Sequence, residues 1–329
     1  MNGTINKFGF VGMAALMHLL VDGICLCSLF VLKDSFSLSN VFSVFLTYNC
    51  VAFLSQPFTG IIVDKMKKMH WVLIVALFFL IVAVLIEAFV VNRVSLQTEW
   101  PPLLVATLLG IGNSLFHVWG GKQTVLKTGN DMRTLGVFVS TGAFGLALAI
   151  VFYAWTLLYM FIICLSLLVI FYIFSDKDDC SFIEEKDDVI NSDVEKNYSF
   201  YIVLMAITAI SLFVMFRSFI GETFSSDITK NNTIILSLGF IAMLGKMCGG
   251  WIAKVWGIIK TLVCVLLIVA FTYFIKSSGL SIVFFGVFMI NVTMPITLYL
   301  ANVVMKGKEG FAFGILAAAL IPGFLLAHL

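Results

Sequence analysis

The sequence Gly60-Ile-Ile-Val-Asp-Lys-Met-Lys-Lys68 joins the second and third of eleven long apolar stretches in this chain. Each stretch is about 20 residues long, which is the length an α-helix needs to cross the hydrocarbon core of a bilayer. Hydrophobic residues make up 61% of the chain and charged residues 12%. A soluble protein carries about 25% charged residues. We therefore expect a polytopic membrane protein.

The continuity of these apolar stretches predicts an all-α fold. No water reaches the bilayer centre, so each backbone N–H and C=O must be bonded inside the protein. A membrane β-barrel would instead show alternating segments of about ten residues. The expected spans are residues 8–32, 41–63, 71–91, 102–124, 135–154, 157–175, 198–223, 233–250, 258–275, 280–305 and 309–327.

Basic residues in the short loops predict the orientation of the bundle. One side holds Lys7, Lys65, Lys67, Lys68, Lys127, Arg133, Lys254, Lys260, Lys306 and Lys308, whereas the other holds only Lys33, Arg93, Lys230 and Lys276. Loops rich in Lys and Arg stay on the cytoplasmic side of a membrane. We therefore expect a multi-pass protein of the plasma membrane, the inner membrane of the cell, with a cytoplasmic amino terminus.

One polar segment divides the chain. Nine of the 18 acidic residues fall between Asp176 and Glu195. The expected organisation is an N-terminal six-helix half at 1–175, an acidic cytoplasmic linker at 176–197, and a C-terminal half with five spans at 198–329. Transporters are commonly built from repeated halves. A twelfth helix is therefore expected to be missing, either by truncation or naturally.

His18 and Asp22 lie four residues apart near the middle of the first span, and hence on one face of that helix. A carboxylate at mid-bilayer costs about 3 kcal/mol on insertion scales. We interpret these two residues as a protonatable pair on a transport cavity. The alternative is a polar contact that only joins helices.

Nothing in the chain resembles a nucleotide-binding loop, a zinc site or a catalytic triad. The seven scattered cysteines fit neither a disulfide framework nor a metal site. We therefore expect no enzyme activity, no metal and no cofactor.

Two strings resemble a known transporter superfamily. Gly60…Asp64-Lys65…Lys68 resembles the signature that joins helices two and three in the major facilitator superfamily. His18-Leu-Leu-Val-Asp22 and Ile111–Lys122, which reads IGNSLFHVWGGK, resemble the fosmidomycin-resistance type of that superfamily. Its helix-four motif is matched by Phe116, His117, Gly120 and Lys122, while Val118 replaces its proline. Arg217-Ser218 and Leu300-Ala301-Asn302 also resemble that group.

The resemblance implies a major-facilitator-like bundle of two helical halves. It also implies a secondary transporter that works by alternating access, with proton-coupled export of a drug or metabolite. A proton symporter or uniporter for a nutrient is one alternative, and a non-transporting membrane sensor or truncated relative is another. Ala149-Ile150 stands where drug/proton antiporters usually carry Gly-Pro, so antiport stays open. The expected partners are a small-molecule substrate, protons and the lipid bilayer, with no nucleic acid, and the chain is expected to be a monomer.

The candidate site residues form three groups. The proton-coupling or cavity candidates are His18, Asp22, Asn49, His117 and Arg217. The lower-ranked substrate-cavity candidates are Gln56, Asn113, Lys122, Asn291 and Thr293, some of which could equally be interhelical hydrogen-bonding groups. The cytoplasmic gate candidates are Gly60, Asp64, Lys65 and Lys68.

Three of these candidates carry a more specific expectation. Gly60 lets helices approach closely. Asp64 is expected to pair with the positive end of a neighbouring helix or with basic residues, which would close the cytoplasmic face in one state. Arg217 is expected to approach Asp22 when the outer side closes, and the alternative is an Arg217 that snorkels or pairs locally. Outside the site, Glu87 is expected to reach the membrane interface.

The predicted orientation can be tested with single cysteines at Ser181 and Ser35 in a background without native cysteines. In intact cells, a membrane-impermeant thiol reagent should label the cysteine at Ser35 and not the one at Ser181, because only position 35 is expected to face outward. Labelling at Ser181 and not at Ser35 would reverse the assigned topology.

Overall fold

The computed structural model describes residues 7–35, 41–93, 100–175, 200–226 and 231–328. All secondary-structure elements in these residues are helices. Among the described residues, ten helical segments are long and apolar enough to cross a membrane, and a further apolar helix at Ile258–Phe274 has 17 residues. The expected all-α class is thus confirmed. Ten of the eleven predicted spans coincide with helices of spanning length, and the predicted span at 258–275 coincides with the shorter helix. The acidic linker at 176–197 lies outside the described residues.

The helices follow one another closely along the chain. In chain order they are α1 (Lys7–Ser35), α2 (Val41–Asn49), α3 (Gln56–Asp64), α4 (Met69–Arg93), α5 (Trp100–Thr128), α6 (Met132–Phe152), α7 (Trp155–Ser175), α8 (Phe200–Ser225), α9 (Asn232–Trp256), α10 (Ile258–Phe274), α11 (Leu280–Val304), α12 (Glu309–Ala318) and α13 (Leu320–Leu326).

Two of the predicted spans are each built from two helices. The second span consists of α2 and α3, joined by a π-helical segment at Cys50–Leu54. Pro57 lies in the first turn of α3, where its missing N–H costs least. The last span consists of α12 and α13, which meet at Ala319. Pro322 follows three residues later and cannot donate a hydrogen bond back to α12.

The outer surface of the helices is strongly apolar. Phe174, Ile259 and Phe274 are 77%, 79% and 85% exposed, respectively. In water such a surface would favour aggregation, whereas lipid tails contact it at no cost. Together with the helix lengths, this surface indicates a multi-pass membrane protein.

Helix α6 packs along both α1 and α9 and holds the centre of the bundle together. Glycines allow its backbone to come this close. A Cβ atom at Gly145 would overlap the backbone oxygen of Leu19 in α1. A Cβ atom at Gly136 would lie 2.7 Å from the backbone oxygen of Lys246 in α9. The glycines of this span therefore serve close helix packing.

This packing predicts that Gly145→Ala destabilises the protein by about 1–3 kcal/mol, because the added methyl group must push α1 away from α6. Thermal unfolding of the detergent-solubilised protein would measure the effect as a lower midpoint. Gly12→Ala is the matched control, since no atom lies within 4 Å of its Cβ position in α1. Equal midpoints for the two variants would contradict the packing argument.

Candidate functional site

His18 and Asp22 on α1 meet His117 and Asn113 on α5 inside the bundle. The Nε2 atom of His18 lies 3.2 Å from an Asp22 carboxylate oxygen, and Nε2 of His117 lies 3.5 Å from the other oxygen. The two Nε2 atoms are 2.9 Å apart. Asn113 donates from Nδ2 to Asp22 over 3.2 Å. We call these four residues the polar cluster.

The hydrogen bonds of the two histidines determine where their protons are. Nδ1 of His18 lies 2.7 Å from the backbone oxygen of Phe138, and Nδ1 of His117 lies 3.0 Å from that of Asn113. A carbonyl oxygen only accepts hydrogen bonds, so both Nδ1 atoms must donate. In a neutral imidazole, Nε2 then carries a lone pair and no hydrogen.

The centre of the polar cluster therefore collects hydrogen-bond acceptors. Two Nε2 lone pairs and the Asp22 carboxylate face one another at 2.9–3.5 Å. Acceptors at this distance repel one another unless a positive charge lies among them. A proton on either Nε2 converts the 2.9 Å contact into a hydrogen bond. The ligand atoms of His18, Asp22 and His117 also lie within 4.8 Å of one another, so these three residues could hold a small metal ion.

Gly142 on α6 provides the space for this cluster. A Cβ atom at this position would overlap both the carboxylate of Asp22 and the imidazole of His18. The aromatic rings of Phe138 and Phe116 pack against His18 at centroid distances of 5.0 and 6.1 Å. The cluster thus lies in a close-packed apolar wall, with one side facing a cavity.

That cavity has a volume of about 190 Å³, and it is lined by His18, Asp22 and His117 of the cluster and also by Arg217 and Lys246. Most of the remaining wall is apolar. A second cavity of about 260 Å³ adjoins it and shares Arg217, Lys246, Met294 and Leu320. We refer to these as the first and the second cavity. Arg217 and Lys246 stand between them.

Arg217 and Asp22 line the same cavity, but no ion pair joins these two described residues. Arg217 is 7% exposed, and its Nη1 atom has no hydrogen-bond partner among the described residues. Lys246 on α9 interacts electrostatically with both Asp22 and Arg217. The sequence analysis missed Lys246, although a lysine deep inside an apolar span is a signal of the same kind as Asp22.

Asp64, at the end of α3, contacts the N-terminus of α12. Its two carboxylate oxygens accept hydrogen bonds from the backbone N–H groups of Gly310 and Phe311 at 2.8 and 2.9 Å. A carboxylate here satisfies N–H groups that lack partners within the helix and interacts favourably with the helix dipole. Lys122 from α5 lies 3.5 Å from Asp64 and donates to the backbone oxygen of Val63.

Gly60 brings the two helices of this contact together. A Cβ atom at Gly60 would lie 2.5 Å from the backbone oxygen of Gly310 and 2.6 Å from Cα of Phe311. One turn further, a Cβ atom at Gly314 would overlap the backbone of Gln56. Helices α3 and α12 therefore meet backbone against backbone. We call this interface, with Asp64 and Lys122, the α3–α12 contact.

The other candidates from the sequence are distributed around these features. Four of them donate a hydrogen bond to a carbonyl oxygen of their own helical segment. The pairs are Asn49 with Phe45, Gln56 with Ala52, Asn291 with Val287, and Thr293 with Ile290. Asn291 also lines the second cavity. Lys122 belongs to the α3–α12 contact, and Lys65 and Lys68 are exposed in the loop that follows α3.

The expectation for Glu87 was wrong. Its side chain is fully buried against α1 and accepts a hydrogen bond from Ser28. The carboxylate is directed into the bundle, where Ser28 of α1 offers it a hydrogen-bond donor. Asp131, by contrast, lies outside the spans, where it caps the N-terminus of α6. The guanidinium of Arg133, which is hydrogen-bonded to Asp131, holds the pKa of Asp131 below its ordinary value.

The chain matches no family model and no curated protein.

The contact at Asp64 predicts that Asp64→Asn loosens α12. The variant removes the negative charge and turns an amide group towards two backbone donors, and charge-assisted hydrogen bonds of this kind contribute about 1.5–3 kcal/mol. A cysteine placed at the buried Ala312 should then react faster with a maleimide than it does in the parent protein. Lys67→Asn, in the same loop and exposed, is the control. An unchanged rate in Asp64→Asn would mean that the contact does not hold α12 in place.

Proposed function

We propose that this chain is a secondary active transporter that moves a small organic solute across a membrane, either in exchange for protons or together with them. The observation that carries the proposal is the polar cluster. Its two Nε2 atoms and the Asp22 carboxylate require a shared positive charge, and one side of the cluster forms the wall of a solute-sized cavity. A proton that enters or leaves this cluster changes the charge of that wall.

The hydrogen-bond pattern of the cluster supports proton coupling rather than a purely structural role. A buried polar contact between helices needs matched donors and acceptors. Here the Nδ1 atoms of both histidines already donate to backbone oxygens, so their Nε2 atoms are left as acceptors. A structural contact of this composition would be self-repelling when both histidines are neutral. A site that binds and releases a proton accounts for it.

Alternating access requires a contact that can close and open one end of the bundle. The α3–α12 contact is suited to this role, because it joins helices far apart in the sequence through Asp64 and two backbone N–H groups. It corresponds to the Gly–Asp–basic loop that resembles the major facilitator signature. A major-facilitator-like arrangement of two halves and the fosmidomycin-resistance type, with export as its direction, are part of this proposal.

The proposal is tested with purified protein in liposomes that enclose a pH-sensitive dye. A panel of small organic solutes is added on one side, with EDTA in all buffers so that metal ions do not replace protons in the cluster. We expect at least one solute to move protons across the membrane, and an imposed pH gradient to drive that solute. Solute flux without proton movement would remove the coupling, and the absence of any flux would favour a sensor.

Asp22→Asn should abolish proton-coupled flux while the protein stays folded. The amide retains the shape of Asp22 but carries no negative charge to share a proton with the two histidines. Glu87→Gln is the matched control, because it neutralises another buried acid that lines neither cavity and can still bond to Ser28. Full proton coupling in Asp22→Asn, or its equal loss in Glu87→Gln, would contradict the assigned role.

A further inference from the structure

We propose that the solute is a small organic anion, and that Arg217 and Lys246 bind its negatively charged oxygen atoms. This inference rests on the proposed transport function, since it names the class of solute that the first cavity takes. It draws on a different part of the cavity wall from the polar cluster.

Arg217 brings a buried guanidinium group to the wall of both cavities. A guanidinium group taken out of water needs hydrogen-bond acceptors or an opposite charge, and burying it without them is strongly unfavourable. Arg217 is 93% buried, and its Nη1 atom has no acceptor among the described residues. Its side chain lines both cavities. A carboxylate or phosphate oxygen in the first cavity would supply the missing acceptor.

Lys246 adds a second basic side chain near Arg217. It lines the same two cavities, and its charge acts on that of Arg217. Two cations in a low-dielectric interior repel each other, so their proximity is unfavourable unless an anion lies between them. Arg217 comes from α8 and Lys246 from α9, so the pair is assembled by the fold and not by local sequence.

In the described part of the chain, neither nearby acid forms an ion pair with these two cations, although Asp22 lies close enough to act on the charge of Lys246. Asp22 lines that cavity but contacts the histidines and Asn113, and no ion pair joins it to Arg217 or Lys246, all of which are described. Glu222 lines the second cavity and not the first. The first cavity is therefore lined by two basic side chains and one acidic side chain, which leaves one formal positive charge without a counter-charge.

The shape of the wall restricts the anion further. Guanidinium groups bind carboxylate and phosphate oxygens in a forked, two-bond geometry, and an ammonium group adds a point charge. Phe53, Phe313, Leu316 and Met294 line the same cavity and present apolar surface to the rest of the solute. With about 190 Å³ available, the fitting class is a small oxyacid anion with a short apolar part.

The test is an equilibrium binding measurement that needs no transport. The purified full-length protein in detergent is titrated at constant ionic strength, and its thermal unfolding midpoint is followed. The anionic probes are propionate, benzoate, succinate, methyl phosphate and inorganic sulfate. The matched neutral and cationic probes are propionamide, benzamide and propylamine. We expect saturable stabilisation by organic anions and none by the neutral or cationic compounds. Stabilisation by the carboxylates only, or by methyl phosphate only, would support the site and identify which oxyacid group it binds.

Four variants assign the binding to the proposed pair. Arg217→Gln and Lys246→Gln should each weaken anion binding about tenfold or more, because each removes one charge-assisted contact. Arg217→Lys should restore part of it. Lys254→Gln should leave it unchanged, because Lys254 lies on α9 as well but is exposed and lines neither cavity. Anion binding that survives both glutamine variants, or a panel without any stabilising anion, would overturn the proposal.

The two proposals fail separately. Anion binding without proton movement in liposomes would count against proton-coupled transport and leave the anion site intact. Proton movement driven by a neutral or cationic solute would support the transport function and remove the anion site.

Discussion

The arrangement of this protein depends on one electrostatic constraint, which is that His18, Asp22 and His117 bring three acceptors together inside an apolar bundle. Each histidine is fixed by a backbone oxygen on its other nitrogen, so neither ring can rotate to relieve the conflict without losing a buried hydrogen bond. The remaining way to relieve it is to add positive charge. Because the acceptors of this cluster lack enough donors of their own, we expect the cluster to respond to protons or cations that reach it from the cavity.

Close packing of small residues brings this constraint about. Gly142 leaves room for the carboxylate and the imidazole, and Gly145 allows α6 to lie against the backbone of α1. In lipid, helices gain little from burying apolar side chains against one another, so such backbone proximity contributes much of the packing energy. The cavity and the cluster are therefore two results of the same helix contacts. Helices α8 and α9 contribute the basic side chains of Arg217 and Lys246 to the same cavity.

The sequence predicted the spans well, because the length of an apolar run is a local property that the bilayer fixes directly. It also placed His18 and Asp22 on one helix face, since that follows from helical periodicity alone. It could not show that His117 meets them, because this depends on how α5 packs on α1. The π-helical segment in the second span likewise has no local signature. Glu87 was misplaced because its burial against Ser28 depends on how α4 packs on α1. Lys246 was missed, although a cation within the apolar run of α9 is a local signal in the sequence.

The α3–α12 contact has a consequence for how this protein moves. Where helices meet through long side chains, rotamer changes let the interface slide through many intermediate positions. Between Gly60 and Gly310 there are no such side chains, and two rigid main chains touch directly. The hydrogen bonds from Gly310 and Phe311 to Asp64 have a similarly narrow range of geometry. If this end of the bundle opens as proposed, we expect few partly open forms, because the two main chains either touch or are fully separated.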